Sequence, residues 1–257
     1  MGSITTTRDG TIATVTLSNS GKLNALDIAM WRDLALAFRA LSQDESVRCV
    51  IVCGEGGNFA AGADIAEFAT HRNNAEQGIH YHTGFVTPAL HAITQCIHPT
   101  IAAIEGACVG GGLEIACACD LRIASASSRI GIPIQRLGFA LAPDEMQGLL
   151  QLVGLATTLE LLLEGRVYDA AEAMHKGLLH RIVDDVASNA QETAQRIASG
   201  APLAARMNKQ LARRLNPLQG KLTAQEFLDA FLLLNSSDYR EGVDAFLNHR
   251  KPDFKGK

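Results

Sequence analysis

Hydrophobic positions change period several times along this chain, and each change marks an element. Ala13, Val15 and Leu17 alternate with Thr14 and Thr16, the period-two pattern of a strand with one face in a core. Asp9-Gly10 divides the stretch from Ile4 to Leu17 into two such runs, which predicts a hairpin. The period then lengthens. Met30, Leu34, Phe38 and Leu41 recur at helical spacing, and Leu26 or Asp27 stands where that helix needs a cap. Val47 to Cys53 is a continuous apolar strand closed by Gly54-Glu55-Gly56-Gly57. Thr70 to Gln77 is polar and reads as a loop, and Ile79 to Ile97 reads as a helix. Thr100 to Ile104 is a short buried strand. Gly110, Gly111 and Gly112 follow, then a helix of small apolar residues from Leu113 to Cys119. Strands are expected at Asp120 to Ala124, Ile130 to Ile134 and Leu179 to Val183. Helices are expected at Glu145 to Val153, at Ala156 to Leu163, and from an Asp169 cap to Gly177. Beyond Val183 the pattern is helical only: Ala187 to Ser199, Pro202 to Leu215, Thr223 to Leu234 and Ser237 to Leu247. This order predicts an α/β core over residues 1–185. A helical region over 186–257 would then cover a site or a neighbouring subunit.

Composition narrows the class. With 257 residues and 47% hydrophobic content, the chain can bury one large core. A net charge of −4 provides no basic field for a nucleic acid or an anionic membrane. No apolar run reaches the roughly 18 residues of a membrane span. The opening stretch, Met1 to Asp9, is polar and carries no leader pattern, so a cytoplasmic location is expected. Cys49, Cys53, Cys96, Cys108, Cys117 and Cys119 lie in apolar runs without paired spacing, which suits reduced core thiols better than disulfides or zinc. His80, His82 and His91 share one helix, yet no acidic or cysteine partner frames them. A pocket wall or surface fits them better than a metal site.

The candidate chemistry sits in the glycine-led helix. Glu114 lies in its first turn, favoured by the helix dipole but out of place among apolar neighbours. Two bare backbone segments, Gly62-Ala63 and Gly110-Gly111, would aim two N–H groups at one oxygen if they lay side by side. One such donor stabilises an oxyanionic transition state by roughly 2.7–4 kcal/mol. The glycines equally suit close helix packing alone. Neither GxxxxGK[ST] nor GxGxxG is present, which argues against a phosphate loop.

NFAAGADIAEF, Asn58 to Phe68, and IEGACVGGGLEIACACDLRIAS, Ile104 to Ser125, resemble the two signature segments of the enoyl-CoA hydratase/isomerase (crotonase) family. Asn24-Ala25-Leu26, Leu152-Val153-Gly154, the GRVYDAAEAMHKGLLHRIV run from Gly165, and REGVDAFLNHRKPDF, Arg240 to Phe254, extend the likeness along the chain. The resemblance implies a spiral of ββα units with a helical C-terminal region, assembled as a homotrimer or a hexamer. It also implies an acyl-CoA substrate, with coenzyme A as part of the substrate and no further cofactor. The thioester enolate would be held by the amides of Ala63 and Gly111. Ala25, Ala61 and Ile65, with Asp64 among them, resemble the cradle for CoA. Lys22 either meets a CoA phosphate or is a solvated turn residue.

Two departures from the family pattern bear on the reaction. Glu114 matches the first of the two glutamates that hydratases use. The second normally follows the proline of G-x-P-E, and here that segment reads Gly131-Ile132-Pro133-Ile134. Ile134 cannot move a proton. The next loop, Phe139 to Glu145, lacks the family's glycines and brings in Asp144 and Glu145. A Pro-Asp in this loop carries the chemistry in some isomerases and dehalogenases of the family. Asp144 resembles that aspartate about two positions late, and it also fits the cap of a helix starting at Glu145. The expectation is therefore that Glu114 and Asp144, with Glu145 as neighbour, face one pocket and share proton handling at Cα and Cβ of the acyl chain. Hydration or isomerisation of an enoyl-CoA leads. Decarboxylation or hydrolysis of an acyl-CoA is the alternative, as is an inactive acyl-CoA-binding homologue. Residues 70–95 would wall the acyl pocket, with His80, Tyr81, His82 and Phe85 as its lining.

Overall fold

β1 (Ser3–Asp9) and β2 (Ile12–Ser18) pair antiparallel across the Asp9-Gly10 turn. In the computed structural model, which describes residues 2–216 and 223–253, every later strand of the main sheet adds in parallel. Met1 and Phe254, the last residue of the terminal motif, lie outside the described residues. β3 (Cys49–Gly54) and β4 (Thr100–Ile104) join the main sheet, and β5 (Ala107–Val109) leaves it. β6 (Leu121–Ser125) returns to it, and β7 (Arg129–Gly131) and β8 (Val167–Asp169) again lie outside. β9 (Arg181–Val183) closes its far edge. Among the described residues the main order is β1-β2-β3-β4-β6-β9, beside a smaller sheet of order β5-β7-β8.

Parallel neighbours need crossovers, and helices supply them. Each turn of the chain repeats one path: a strand in the main sheet, a short extended piece in the second layer, then a helix. β2 leads through Leu26 to α1 (Ile28–Gln43). β3 leads through Ala60 and Ala63 to α2 (Phe68–His71), α3 (Ala75–Tyr81) and α4 (Thr87–Thr94). β4 and β5 lead to α5 (Gly111–Ala118), and β6 and β7 to α6 (Pro143–Glu164). This is the spiral of ββα units.

Burial explains why the central strands are apolar throughout. Ile101 and Ala103 of β4 face α8 (Val186–Ser199), together with Val186, Ala190 and Ala194, while α7 (Ala170–His175) precedes that helix. Ala102 and Ile104 point the other way, into a core with Trp31, Phe38, Leu113 and Ile115. Asp27 caps α1 by accepting from the Met30 N–H at 2.8 Å, and Asp169 caps α7 in the same manner. α9 (Pro202–Leu215), α10 (Ala224–Leu232) and α11 (Ser237–Leu247) complete the chain as the periodicity requires.

Three elements differ from their sequence pattern. Residues 70–77 are not a plain loop: α2 runs to His71, Asn74 caps α3 at the Gln77 N–H, and Arg72 between them is buried. The helix expected over Ile79 to Ile97 holds a π-turn at His82–Val86 and ends at Thr94. The helices expected on either side of Ala156 belong to α6, which breaks at Gly154 with φ 73° and ψ 178°. By length and composition alone α6 is apolar enough to cross a membrane, contrary to the expectation that no stretch would be. The break at Gly154 divides it into two halves too short for a span, and Glu145 of the first half faces an internal cavity.

Candidate active site

The second layer brings two backbone segments side by side. Ala60 pairs with Cys108 in parallel register. Two residues on from each partner stand Gly62 and Gly110, with φ of 104° and 52°. A side chain at either would be strained, and both residues turn the chain in the same direction. The next amides, of Ala63 and Gly111, are therefore neighbours: a Cβ built on Gly111 would lie 3.7 Å from the Ala63 nitrogen. Bonds on each side hold this arrangement. The Leu26 N–H donates to the Gly62 carbonyl at 2.7 Å, the Asp64 N–H to the Leu26 carbonyl at 2.8 Å, and the Gly110 N–H to the Gly131 carbonyl at 2.8 Å. Among the described residues the Ala63 and Gly111 N–H groups donate to nothing. Gly111 opens α5, whose first N–H groups have no helical acceptor.

Both amides border a cavity of about 240 Å³. Glu114, three residues into α5, and Glu145, in the first turn of α6, also line it. Burial holds both carboxyls up: Glu114 lies well above the usual carboxylate range, and Glu145 is raised to about 8. Charge on Glu145 raises Glu114 further, charge on Asp144 raises Glu145, and the Arg72 guanidinium partly opposes both. The Glu145 Oε1 lies 2.5 Å from His82 Nδ1, and burial pushes the His82 imidazole well below its ordinary value. Ile134, at the position where the family places its second glutamate, lines the same cavity with an apolar face.

Two cations line the cavity, the exposed Arg136 and the buried Arg72. Arg72 is 2% exposed, and its guanidinium sits 3.7 Å from the Phe139 ring centroid and 4.5 Å from that of Phe68. Its Nε and Nη2 are sealed from water without a hydrogen-bond partner. Its backbone carbonyl accepts the Tyr239 hydroxyl at 2.7 Å, which ties the residue to α11.

Other expected site residues separate into two groups. Ala61, Ala63, Ile65, Gly111 and Glu114 line the cavity. Lys22, Ala25 and Asp64 do not. They lie beside it, where Lys22 pairs with Asp64 at 2.5 Å and the Ala61 N–H donates to the Leu23 carbonyl at 2.9 Å. Asp64 also caps the short turn Ile65–Glu67. Asp144 is exposed and is not part of the lining, because the first turn of α6 directs Glu145 inward instead. It is not the cap of α6 either, since Ala142 holds that position. Of the expected acyl wall, Tyr81 and His82 line the cavity. His80 is exposed and stands edge-on to Phe85 at 5.4 Å. Sequence patterns also passed over Arg72 and Trp31, both part of the lining. A Cβ on Gly111 would come within 2.8 Å of the Trp31 ring, so the indole fills the space that the missing side chain leaves.

The family model described as enoyl-CoA hydratase/isomerase matches residues 7–257. A probable enoyl-CoA hydratase of Bacillus subtilis is 34% identical over 264 residues, covering 100% of both chains. The crystal structure of an enoyl-CoA hydratase/carnithine racemase from Magnetospirillum magneticum is 43% identical with a TM-score of 0.82, covering 100% of this chain and 97% of that one. A methylmalonyl-CoA decarboxylase in complex with 2-nitronate-propionyl-CoA is 26% identical with a TM-score of 0.87, covering 99% of this chain and 98% of that one.

Proposed function

The chain belongs to the enoyl-CoA hydratase/isomerase family, and on that premise we propose that it adds water reversibly across the α,β double bond of an enoyl-CoA. The observation that carries this reading is the presence of two free backbone N–H groups and two buried carboxyls around one cavity. The thioester oxygen accepts from the Ala63 and Gly111 amides, and the positive end of α5 lies behind Gly111. Negative charge that develops on this oxygen as the enolate forms is thus met by dipoles already in place.

Glu114 and Glu145 supply one base and one acid. The ionised member takes a proton from water as the water oxygen bonds to Cβ. The protonated member gives its proton to Cα, so one water is added and one proton has passed through the pair. Both carboxyls line one cavity and charge on Glu145 raises Glu114, so one stays protonated while the other ionises. Glu145 comes from α6 and stands in for the glutamate that Ile134 replaces. Ala25, Ala61, Asp64 and Ile65 cradle the CoA, and Lys22 meets one of its phosphates. Leu155, Leu159 and Leu163 on α6, and Leu203, Met207, Leu211 and Leu215 on α9, form exposed apolar stripes at four-residue spacing. They suit contacts between copies in a homotrimer, alone or paired into a hexamer.

The experiment is incubation with crotonyl-CoA followed by mass spectrometry. A product heavier by one water supports hydration, and loss of that product in Glu114→Gln and in Glu145→Gln assigns the two carboxyls. Decarboxylation is the second reading, favoured by the apolar Ile134, which leaves no acid at that wall of the site. Release of carbon dioxide from a malonyl-type thioester, with no water added to crotonyl-CoA, would select it.

A further inference from the structure

We infer that the acyl group taken by this cavity ends in a carboxylate, and that Arg72 receives it. This rests on the acyl-CoA reading above and names the class of acyl chain. Arg72 lines the cavity while only 2% exposed, and no acidic oxygen among the described residues comes within ion-pair distance of it. Its Nε and Nη2 are buried without acceptors. A guanidinium stays charged in proteins, and a buried charge without a partner is costly unless something arrives to pair with it.

The groups around Arg72 do not supply that partner. Phe68, Tyr81 and Phe139 present ring faces at 4.5, 5.7 and 3.7 Å, which favour a cation but accept no hydrogen bond of ordinary strength. Glu145 is already bonded to His82. Glu114 and Glu145 act on Arg72 across the cavity, but neither forms an ion pair with it among the described residues.

The cation is also held in place. The Arg72 N–H donates to the Phe68 carbonyl at 2.9 Å, and its carbonyl accepts from Tyr239. Packing between Phe68 and Phe139 fixes the plane of the guanidinium. A neutral acyl chain would fill the 240 Å³ cavity and leave the guanidinium's charge without a counter-ion. A chain of similar length ending in a carboxylate would supply that counter-ion, accepting a charge-assisted bond from Nη1, the guanidinium nitrogen that is not sealed off. The thioester oxygen lies at the Ala63 and Gly111 amides, so the distal carboxylate marks the opposite end of the bound acyl group.

The test compares short trans-2-enoyl-CoAs that end in a carboxylate with their methyl esters, which remove the charge and add one methyl group. Binding of the saturated analogues is measured alongside by calorimetry. The acid is expected to exceed its ester in kcat/KM by on the order of a hundredfold. Arg72→Gln should bring that ratio close to one, and Arg72→Lys should retain part of it. If Arg72→Gln does not fold, the wild-type ratio and Arg72→Lys carry the test. Turnover of both thioesters without preference for the acid overturns this inference and leaves the acyl-CoA reading intact, as does an acid preference that survives in Arg72→Gln. If neither saturated thioester binds the wild-type protein, the acyl-CoA reading fails and the inference fails with it.

Discussion

His82 in the π-turn after α3 and Glu145 in the first turn of α6 meet with Nδ1 and Oε1 2.5 Å apart, both side chains almost wholly buried. Burial favours the neutral form of each, lowering the imidazole and raising the carboxyl to about 8. Both shifts favour a neutral hydrogen-bonded pair over an ion pair. This fixes the Glu145 carboxyl toward the cavity that Glu114 and the two free amides share.

The proposed reaction assigns the proton to Glu145 rather than to its neighbour. Glu145→Gln keeps the size and hydrogen bonding of the side chain but removes its proton chemistry, so kcat should fall by roughly 10²–10⁴. Asp144→Asn should stay within about threefold of wild type, because Asp144 is exposed and outside the cavity. Steady-state rates of the two variants on one enoyl-CoA check both statements. Equal losses would remove Glu145 from its assigned role.

Stability should decline as pH rises from 6.5 to 8. Glu145 titrates near 8 in the fold and near 4.5 in the unfolded chain, so between those values the folded chain keeps a proton that the unfolded chain has released. Its contribution is complete below pH 4.5 and is lost as pH rises through the folded value, at roughly 1 kcal/mol per pH unit. Glu114, also raised, acts in the same direction. His82 acts in the opposite direction, but only below its ordinary value of 6.5, where the unfolded chain takes up the proton. Urea unfolding at several pH values in this window should show the decline, with a shallower slope for Glu145→Gln. A slope that the substitution leaves unchanged would mean that Glu145 is ordinary in the fold.

Much of this arrangement is legible in the chain. The alternation through Ala13, Val15 and Leu17 gives the hairpin, and Asp27 and Asp169 cap the helices they precede. Gly62 and Gly110 mark the two turns because few other residues tolerate their φ. Asp144 and Glu145 could not be told apart in this way. Adjacent helical residues point about 100° apart, so the inward one depends on how α6 packs against α5, a tertiary fact. With Ile134 in place of the family's second glutamate, the sequence points to the carboxylates of the next loop, Asp144 first and Glu145 beside it. Arg72 sits in a polar run with nothing local to distinguish it. Its burial comes from Phe139 and Tyr239, which lie far along the chain. β5 and β8 are three residues each, too short to show a period.

Two adjacent glycines should fail in different ways. A Cβ at Gly112 would lie 2.2 Å from the Ala60 carbonyl oxygen, a backbone atom of the paired second layer. Gly112→Ala should therefore destabilise the fold by about 3 kcal/mol, read as a lower unfolding midpoint. At Gly111 the nearest atoms belong to the Trp31 ring, 2.8 Å away, and the new methyl would stand 3.7 Å from the Ala63 nitrogen. Gly111→Ala should keep more of the stability and lose kcat by roughly 10²–10³, the scale of losing one oxyanion donor. Equal kcat in Gly111→Ala and wild type would mean that the amide pair does not hold the reacting oxygen.

Lys22 is exposed and paired with Asp64, whose side chain raises the lysine above its ordinary value through a hydrogen bond. If it meets a CoA phosphate, Lys22→Ala should raise KM for CoA thioesters by a few-fold at low salt, with the difference shrinking as ionic strength rises. KM for the corresponding pantetheine thioesters should not change. A matching rise for pantetheine substrates would assign Lys22 to the loop's structure instead.

The most direct measurement is a crystal structure with an acyl-CoA bound. The thioester oxygen should lie about 3 Å from the Ala63 and Gly111 nitrogens, with Cα and Cβ between the Glu114 and Glu145 carboxyls. A thioester oxygen bound away from those two amides, or a Cβ out of reach of both carboxyls, would contradict the proposed chemistry.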